Sequence, residues 1–181
     1  MRKILNSNKP LAVIILAAGK GTRMDSDLPK VLHPIGELPM ITRVVQTAQE
    51  LGASRIIPVL GYKHELVQSA LKDEPVECVL QLQQLGTAHA VMQCQETLHN
   101  FNGNILILYG DVPLITVETL AKLISLHDEQ DSLGTILTAD LSDPKGYGRV
   151  IRDENGNLSK IVEEKDATEG ERAVQEINSG I

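Results

Sequence analysis

The sequence predicts an α/β fold built on a mainly parallel sheet with helices on both faces. Short apolar runs of strand length alternate along the chain with segments of helical periodicity. The first run, 11–17, is continuously apolar, as is typical of a parallel strand buried on both sides. With 181 residues, 42% of them hydrophobic, the chain is long enough for one domain with a substantial core.

The elements are predicted as follows. Strands are expected at 11–17, 55–60, 76–80, 105–109, 134–140, 148–152 and 158–163. Helices are expected at 40–51, 63–72, 85–98 and 116–130. The first helix starts after Pro39 and stops at Gly52, and Thr116 is the expected cap of the last one. Ligands of such sheets bind beyond the carboxyl ends of the strands, so the residues that follow each strand are the first site candidates.

Composition excludes several classes of protein. The net charge is −7, and the chain has no Trp, one Phe and three Tyr, so no nucleic-acid partner is expected. The N-terminus lacks the apolar core of a signal peptide, and no apolar run is long enough for a membrane span. Cys78 and Cys94 have no metal or redox spacing and are interpreted as free thiols in the cytoplasm.

The loop after the first strand carries the strongest signal. Gly19 and Gly21 free the backbone to approach a ligand, while Lys20 and Arg23 add two cations, and Lys30 follows seven residues later. A strand that ends in a basic, glycine-rich loop presents N–H groups and positive charge to a phosphate. The segment therefore predicts a phosphate site rather than an ordinary turn.

Two commoner phosphate motifs do not match this loop. A dinucleotide loop needs a glycine where Met24 stands, and a P-loop needs a lysine where Thr22 follows Gly21. The loop thus belongs to another type of nucleotide or phosphate binder.

Three later segments carry weaker signals. Asp111 follows an apolar strand and Gly110; it is either a ligand for a hard divalent cation or a turn cap before Pro113. The amide-rich stretch 81–90 suits the edge of a nucleobase, or is a polar connection into a helix. Polar residues around 146–149, 163 and 178 could bind sugar hydroxyls, although such residues are routine at strand ends.

Taken in order, these motifs closely resemble the bacterial N-acetylglucosamine-1-phosphate uridyltransferase family. The resemblance covers nearly all of residues 10–181, and its motifs stand at 16–24, 29–32, 84–90, 110–114, 146–149 and 161–181. It implies a Rossmann-like nucleotide-diphospho-sugar transferase fold. It also implies that 1–10 is a leader segment and 11–181 a uridyltransferase domain truncated at its C-terminus, with the family's β-helix acetyltransferase domain absent.

The resemblance implies a role for individual residues. Main-chain nucleotide contacts are implied at Leu16, Ala17, Ala18 and Gly19. Catalytic roles on the phosphates are implied for Arg23 and Lys30. Uracil contacts are implied at Gln81, Gly86 and Thr87. Sugar contacts are implied at Gly148, Glu163 and Asn178, and a metal contact at Asp111.

The implied reaction joins UTP and N-acetylglucosamine 1-phosphate into UDP-N-acetylglucosamine, with Mg²⁺ as cofactor and pyrophosphate as second product. The resemblance also implies a role in cell-wall precursor synthesis, a second metal ligand beyond residue 181, and a trimer formed by the full-length family through the absent domain. Three alternatives stay open: another nucleotidyltransferase with the same loop, such as a guanylyl- or cytidylyltransferase; a module that binds a nucleotide sugar without turnover; and a structural fragment.

Overall fold

The computed structural model describes residues 7, 9–21 and 26–181 and divides the chain into two compact units, 1–131 and 132–181. The first unit holds a four-stranded parallel sheet with the spatial order β5-β4-β1-β6. Its strands are β1 (Leu11–Ala17), β4 (Arg55–Leu60), β5 (Val79–Leu80) and β6 (Asn104–Tyr109). Its helices are α1 (Met40–Glu50), α2 (His64–Ala70), α3 (Thr87–Met92) and α4 (Val117–Glu129), with a 3₁₀ turn at Lys30–Leu32 and a short hairpin, β2 (Pro34–Ile35) and β3 (Leu38–Pro39).

Burial of the central strand on both sides explains why β1 is apolar throughout. Ile14 packs with Ile57 of β4 and Ala90 of α3 in one buried cluster. Because side chains alternate across a strand, Val13 and Ile15 lie on the opposite face, and both are fully buried there. The predicted α/β fold with a mainly parallel sheet is confirmed in this unit.

Cys94 belongs to the same cluster as Ile14 and is a free thiol. Burial raises its pKa to about 11, and the charge of Glu77 adds to this effect. The thiol therefore stays protonated at neutral pH and acts as a small apolar core group.

The second unit contains an antiparallel sheet with the order β7-β10-β8-β9. Its strands are β7 (Thr138–Asp140), β8 (Arg149–Arg152), β9 (Leu158–Val162) and β10 (Glu176–Asn178), and α5 (Glu169–Arg172) precedes the last strand. The side chain of Thr168 caps α5, accepting from the N–H of Glu171, whose carboxylate accepts from the N–H of Thr168.

Several predicted boundaries need correction. The helix expected at 85–98 is limited to α3, because Gly86 has φ +103 and cannot be helical, and because Gln93 and Cys94 donate to carbonyls three residues back, in tighter turns. The strands expected at 76–80 and 134–140 shorten to their last residues, β5 and β7. The hairpin, α5 and β10 were not predicted, whereas the Thr116 cap on α4 is confirmed by its bond from the N–H of Thr119. Among the described residues, no helix has the length and apolar character that a membrane crossing requires.

Candidate functional site

A cavity of about 590 Å³ lies in the first unit, where the parallel strands end. Leu16 and Ala17 come from the end of β1, Tyr109 from the end of β6, and Gln81 directly follows β5. The complete lining is Leu16, Ala17, Ala18, Gly19, Lys20, Gly21, Lys30, Val31, Gln81, Gln84, Gly86, Thr87, Ala90, Tyr109 and Asp111. This is the sheet edge at which a doubly wound fold binds its ligands.

Most of the sequence-predicted site residues meet in this cavity. The nine that line it are Leu16, Ala17, Ala18, Gly19, Lys30, Gln81, Gly86, Thr87 and Asp111. Arg23 lies outside the described residues. Gly148, Glu163 and Asn178 belong to the second unit and are treated there.

The loop after β1 offers hydrogen-bond donors to the cavity. Among the described residues, the backbone N–H groups of Gly19, Lys20 and Gly21 donate to no acceptor. Gly21 has φ +67, and a Cβ atom there would lie 2.8 Å from the Cβ of Lys30. Gly21 is therefore needed both for the turn and to let Lys30 lie against the loop.

Lys30 and Asp111 form an ion pair in the cavity wall. Lys30 Nζ donates to Asp111 Oδ2 at 2.6 Å, and both side chains remain partly exposed. Gly110 brings this strand end close to its neighbour, because a Cβ there would lie 3.2 Å from Val31 and 3.3 Å from Ala17. The pair gives the cavity wall one cation, which can contact a phosphate, and one carboxylate, a type of ligand that hard divalent cations prefer.

The segment after β5 also lines the cavity. Gln81 is only 3% exposed; its backbone N–H donates to Leu60, and its side-chain Nε2 donates to the carbonyl of Gly86 at 3.1 Å. The left-handed conformation of Gly86 ends this short turn, and Thr87 begins α3. A buried amide held in one orientation is suited to reading a ligand by its hydrogen-bond pattern.

Six lining residues were given no individual role by the sequence: Lys20, Gly21, Val31, Gln84, Ala90 and Tyr109. Five of them stand in the predicted motif segments 16–24, 29–32 and 84–90, and Tyr109 does not. Lys20 lies 5.5 Å from the centre of the Tyr62 ring, within range of a cation–π contact. Tyr109 lies opposite Leu16 in the register of β6 and β1. The glycine-rich loop motif indicates that Lys20 and Gly21 lie at the site. Tyr109 lies there because β6 pairs with β1 in this register, and the register cannot be read from the sequence.

In the second unit, the three predicted sugar-binding residues are neighbours. The N–H of Asn178 donates to the carbonyl of Gly148 at 2.9 Å. A Cβ on Gly148 would lie 3.4 Å from Glu163 Oε1, so this carboxylate lies beside the glycine. Their role as sugar contacts stays a prediction.

A buried arginine holds the loop beside Gly148. Arg149 is 2% exposed; its Nη2 lies 3.1 Å from Glu164 Oε2, and its Nη1 donates to the carbonyl of Tyr147. The N–H of Gly146 donates to the same carboxylate oxygen at 2.5 Å. The bond from Gly146 and, after it, the bond and charge of Arg149 lower the pKa of Glu164. The stability that they add is present above the ordinary pKa of this carboxyl and is lost as the pH falls through the lowered value.

We expect Arg149→Met to lower the free energy of unfolding by about 1–3 kcal/mol, because the Tyr147 carbonyl loses this donor and the Glu164 carboxylate loses one of its two. Arg152→Met is the matched control on the same strand: Arg152 pairs with Glu176 but is largely exposed, so a clearly smaller loss is expected. Urea titration of both variants measures the difference. Equal losses would show that burial of Arg149 contributes nothing.

The chain matches a family model over most of its length. The model describes the MobA-like NTP transferase domain and matches residues 13–171. The chain belongs to this family. The family resemblance drawn from the motifs agrees with that membership.

Two curated proteins with the same name are similar to the chain in sequence. The chain is 50% identical over 172 residues to "Bifunctional protein GlmU" of Geotalea uraniireducens, covering 94% of this chain and 38% of that protein. It is 52% identical over 167 residues to the protein of that name from Streptococcus uberis, covering 92% and 36%. This MobA-like NTP transferase domain thus spans little more than a third of the curated relatives it matches.

A UDP-glucose pyrophosphorylase complexed with UDP-glucose shares the fold, with a TM-score of 0.71, 19% identity and coverage of 93% of this chain and 73% of that one. At this identity the likeness concerns the fold alone. It agrees with the Rossmann-like nucleotidyltransferase fold that the sequence predicts.

Proposed function

We propose that the chain transfers a uridylyl group from UTP to N-acetylglucosamine 1-phosphate, giving UDP-N-acetylglucosamine and pyrophosphate. The observation that carries the proposal is the convergence of Lys30, Asp111, Gln81 and the loop after β1 on one cavity of a MobA-like NTP transferase. The 50% identity to a bifunctional relative, over 94% of this chain, supports the choice of substrates. The leader and truncated-domain boundaries and the trimer of the full-length family stay predictions.

The chemistry requires positioning and charge neutralisation more than acid–base catalysis. A phosphate oxygen of the sugar phosphate attacks the α-phosphorus of UTP, the bond to the bridging oxygen of pyrophosphate breaks, and that oxygen takes the electron pair. The nucleophile is already an anion, so no proton has to be removed. The barrier comes largely from bringing two anions together.

The cavity supplies groups for this task. The N–H groups of Gly19, Lys20 and Gly21, which donate to no acceptor among the described residues, can donate to phosphate oxygens. Lys30 carries a charge that can turn from Asp111 to a phosphate when the substrate enters. Gln81 and Gly86 also line the cavity and can contact the base of the nucleotide.

Asp111 fits a divalent cation. Its Oδ2 accepts from Lys30, whereas its Oδ1 has no hydrogen-bond partner among the described residues. Within that part of the chain no three His, Cys, Asp or Glu side chains cluster as a complete metal site. One carboxylate combined with substrate phosphates is a usual environment for Mg²⁺, and we propose this ion. When bound, it supplies positive charge that lowers the repulsion between the two substrates.

Phosphorus-31 NMR of the chain with UTP, N-acetylglucosamine 1-phosphate and Mg²⁺ tests the proposal. We expect pyrophosphate and a nucleotide sugar to form together, and only when both substrates are present. CTP and GTP in place of UTP separate this activity from that of a cytidylyl- or guanylyltransferase. Binding of UDP-N-acetylglucosamine without turnover would indicate a binding module, and neither binding nor turnover a structural fragment.

Glu163→Ala is expected to raise the KM for N-acetylglucosamine 1-phosphate by about fivefold or more and to leave the KM for UTP nearly unchanged. The reason is that loss of one hydrogen bond to a buried ligand hydroxyl costs about 1 kcal/mol. Glu154→Ala is the control, because Glu154 lies exposed in a turn of the same unit. Steady-state kinetics with each substrate varied in turn measures both constants. An equal rise in both would mean that Glu163 supports the fold instead.

A further inference from the structure

The side-chain amide of Gln81 is held by two partners inside the protein. Its Nε2 lies 3.1 Å from the carbonyl oxygen of Gly86 and 2.9 Å from Nδ1 of His89. A backbone carbonyl can only accept, so the NH₂ end of the amide must face Gly86. The orientation of this buried amide therefore follows from the chemistry of its partners.

His89 can accept from only one of the two amides that touch its ring. A neutral imidazole has one free lone pair, yet Gln81 Nε2 approaches Nδ1 at 2.9 Å and Gln93 Nε2 approaches the other ring nitrogen at 3.2 Å. Gln93 already donates to the carbonyl of His89 and is half-buried, so it has other partners and access to water. Gln81 is buried, and its second amide hydrogen has no other acceptor among the described residues. The lone pair thus belongs on Nδ1, facing Gln81, and the proton on Nε2.

This arrangement decides what Gln81 can offer to a ligand. Both of its amide hydrogens are used within the protein, while its carbonyl Oε1 has no hydrogen-bond partner among the described residues. Since Gln81 lines the cavity, that oxygen presents an acceptor alone. Uracil has an N–H donor at N3, whereas cytosine has an unprotonated N3 that would face this oxygen lone pair to lone pair.

We propose that His89 is a positioning residue that sets the base specificity of the cavity by locking Gln81 as an acceptor. The inference rests on the proposed uridylyl transfer and deepens it. Without the acceptor at Nδ1, only the bond to Gly86 opposes a flip of the Gln81 amide, so the NH₂ group turns toward the cavity more readily and can accommodate cytosine.

The test is the ratio of UTP to CTP affinity, measured by calorimetry on the full chain with Mg²⁺. His89→Phe keeps a ring of similar size and removes the acceptor; we expect the ratio to fall by about fivefold or more. His89→Asn restores an acceptor near the place of Nδ1 and should keep the ratio within about twofold of the wild type. Gln93→Ala is the matched control, because it removes the contact to the other ring nitrogen without touching Gln81, and should leave the ratio unchanged.

The outcomes separate the two proposals. Preferential binding of UTP by the wild type, with the same preference in His89→Phe, would overturn the role of His89 and leave the proposed function standing. Wild-type chain that binds neither nucleotide, or binds both equally, would overturn the proposed function and this inference with it. If His89→Phe shows no cooperative thermal transition, His89→Ala replaces it with the same expected fall, and an unchanged ratio there counts against the proposal.

Discussion

Replacement of Lys30 by alanine is expected to lower kcat by about 100-fold or more while changing the KM for UTP little. A preorganised charge that acts on the transition state typically contributes at this level, because charge moves to the leaving pyrophosphate as the bond breaks. Lys30 lies 2.6 Å from Asp111 with the glycine loop against its Cβ, so its charge is in the cavity before substrate binds. Initial rates of pyrophosphate release at varied UTP give both constants.

Lys122→Ala is the control for this experiment, since Lys122 is exposed on α4, outside the cavity lining. It carries the same charge and should leave both constants unchanged. A Lys30→Ala effect confined to KM would mean that the lysine binds the substrate and the transition state equally strongly. It would then not accelerate the chemical step.

Asp111→Asn is expected to raise the Mg²⁺ concentration for half-maximal activity by about tenfold or more. Loss of a residue that only hydrogen-bonds to a metal ligand already weakens metal binding by about tenfold. An amide is a poorer ligand for a hard cation than a carboxylate. The thermal midpoint should move little, because the ion pair with Lys30 is partly exposed and such pairs contribute little to stability. Titration of activity with MgCl₂ makes the comparison.

Glu118→Gln serves as the control for the metal experiment, because Glu118 is an exposed carboxylate in the first turn of α4. A wild-type titration curve for Asp111→Asn would identify Asp111 as a turn residue before Pro113, the alternative that the sequence leaves open.

The central strands could be predicted because strands buried on both faces consist of consecutive apolar residues. The strand β1 begins with its apolar run, and β4 holds the apolar run 56–60 behind a single charged residue, Arg55. The strand β10 offers no such signal: Ile177 is its single apolar residue, and pairing with β7 and β8 stabilises it. Strand formation of this kind depends on partners far away in sequence and is not visible locally.

Some parts of the candidate site could likewise be predicted from the sequence, and others could not. The loop after β1 could be identified because its glycines and cations are contiguous. The contact of Lys30 with Asp111 joins residues 81 positions apart; the placement of the loop and of Asp111 after predicted parallel strands favoured a shared site, and the family resemblance implied it. The contact between Gln81 and His89 was not predicted, because it requires the turn at Gly86 to fold α3 back beside the strand end.

A crystal structure of the chain with bound UDP-N-acetylglucosamine is the most direct test that this cavity binds the nucleotide. We expect the uracil ring in the cavity, with its N3 within hydrogen-bond distance of Gln81 Oε1, and the diphosphate along the backbone of Gly19–Gly21 beside Lys30. A nucleotide bound outside this cavity, or one whose base lies away from Gln81, would contradict it.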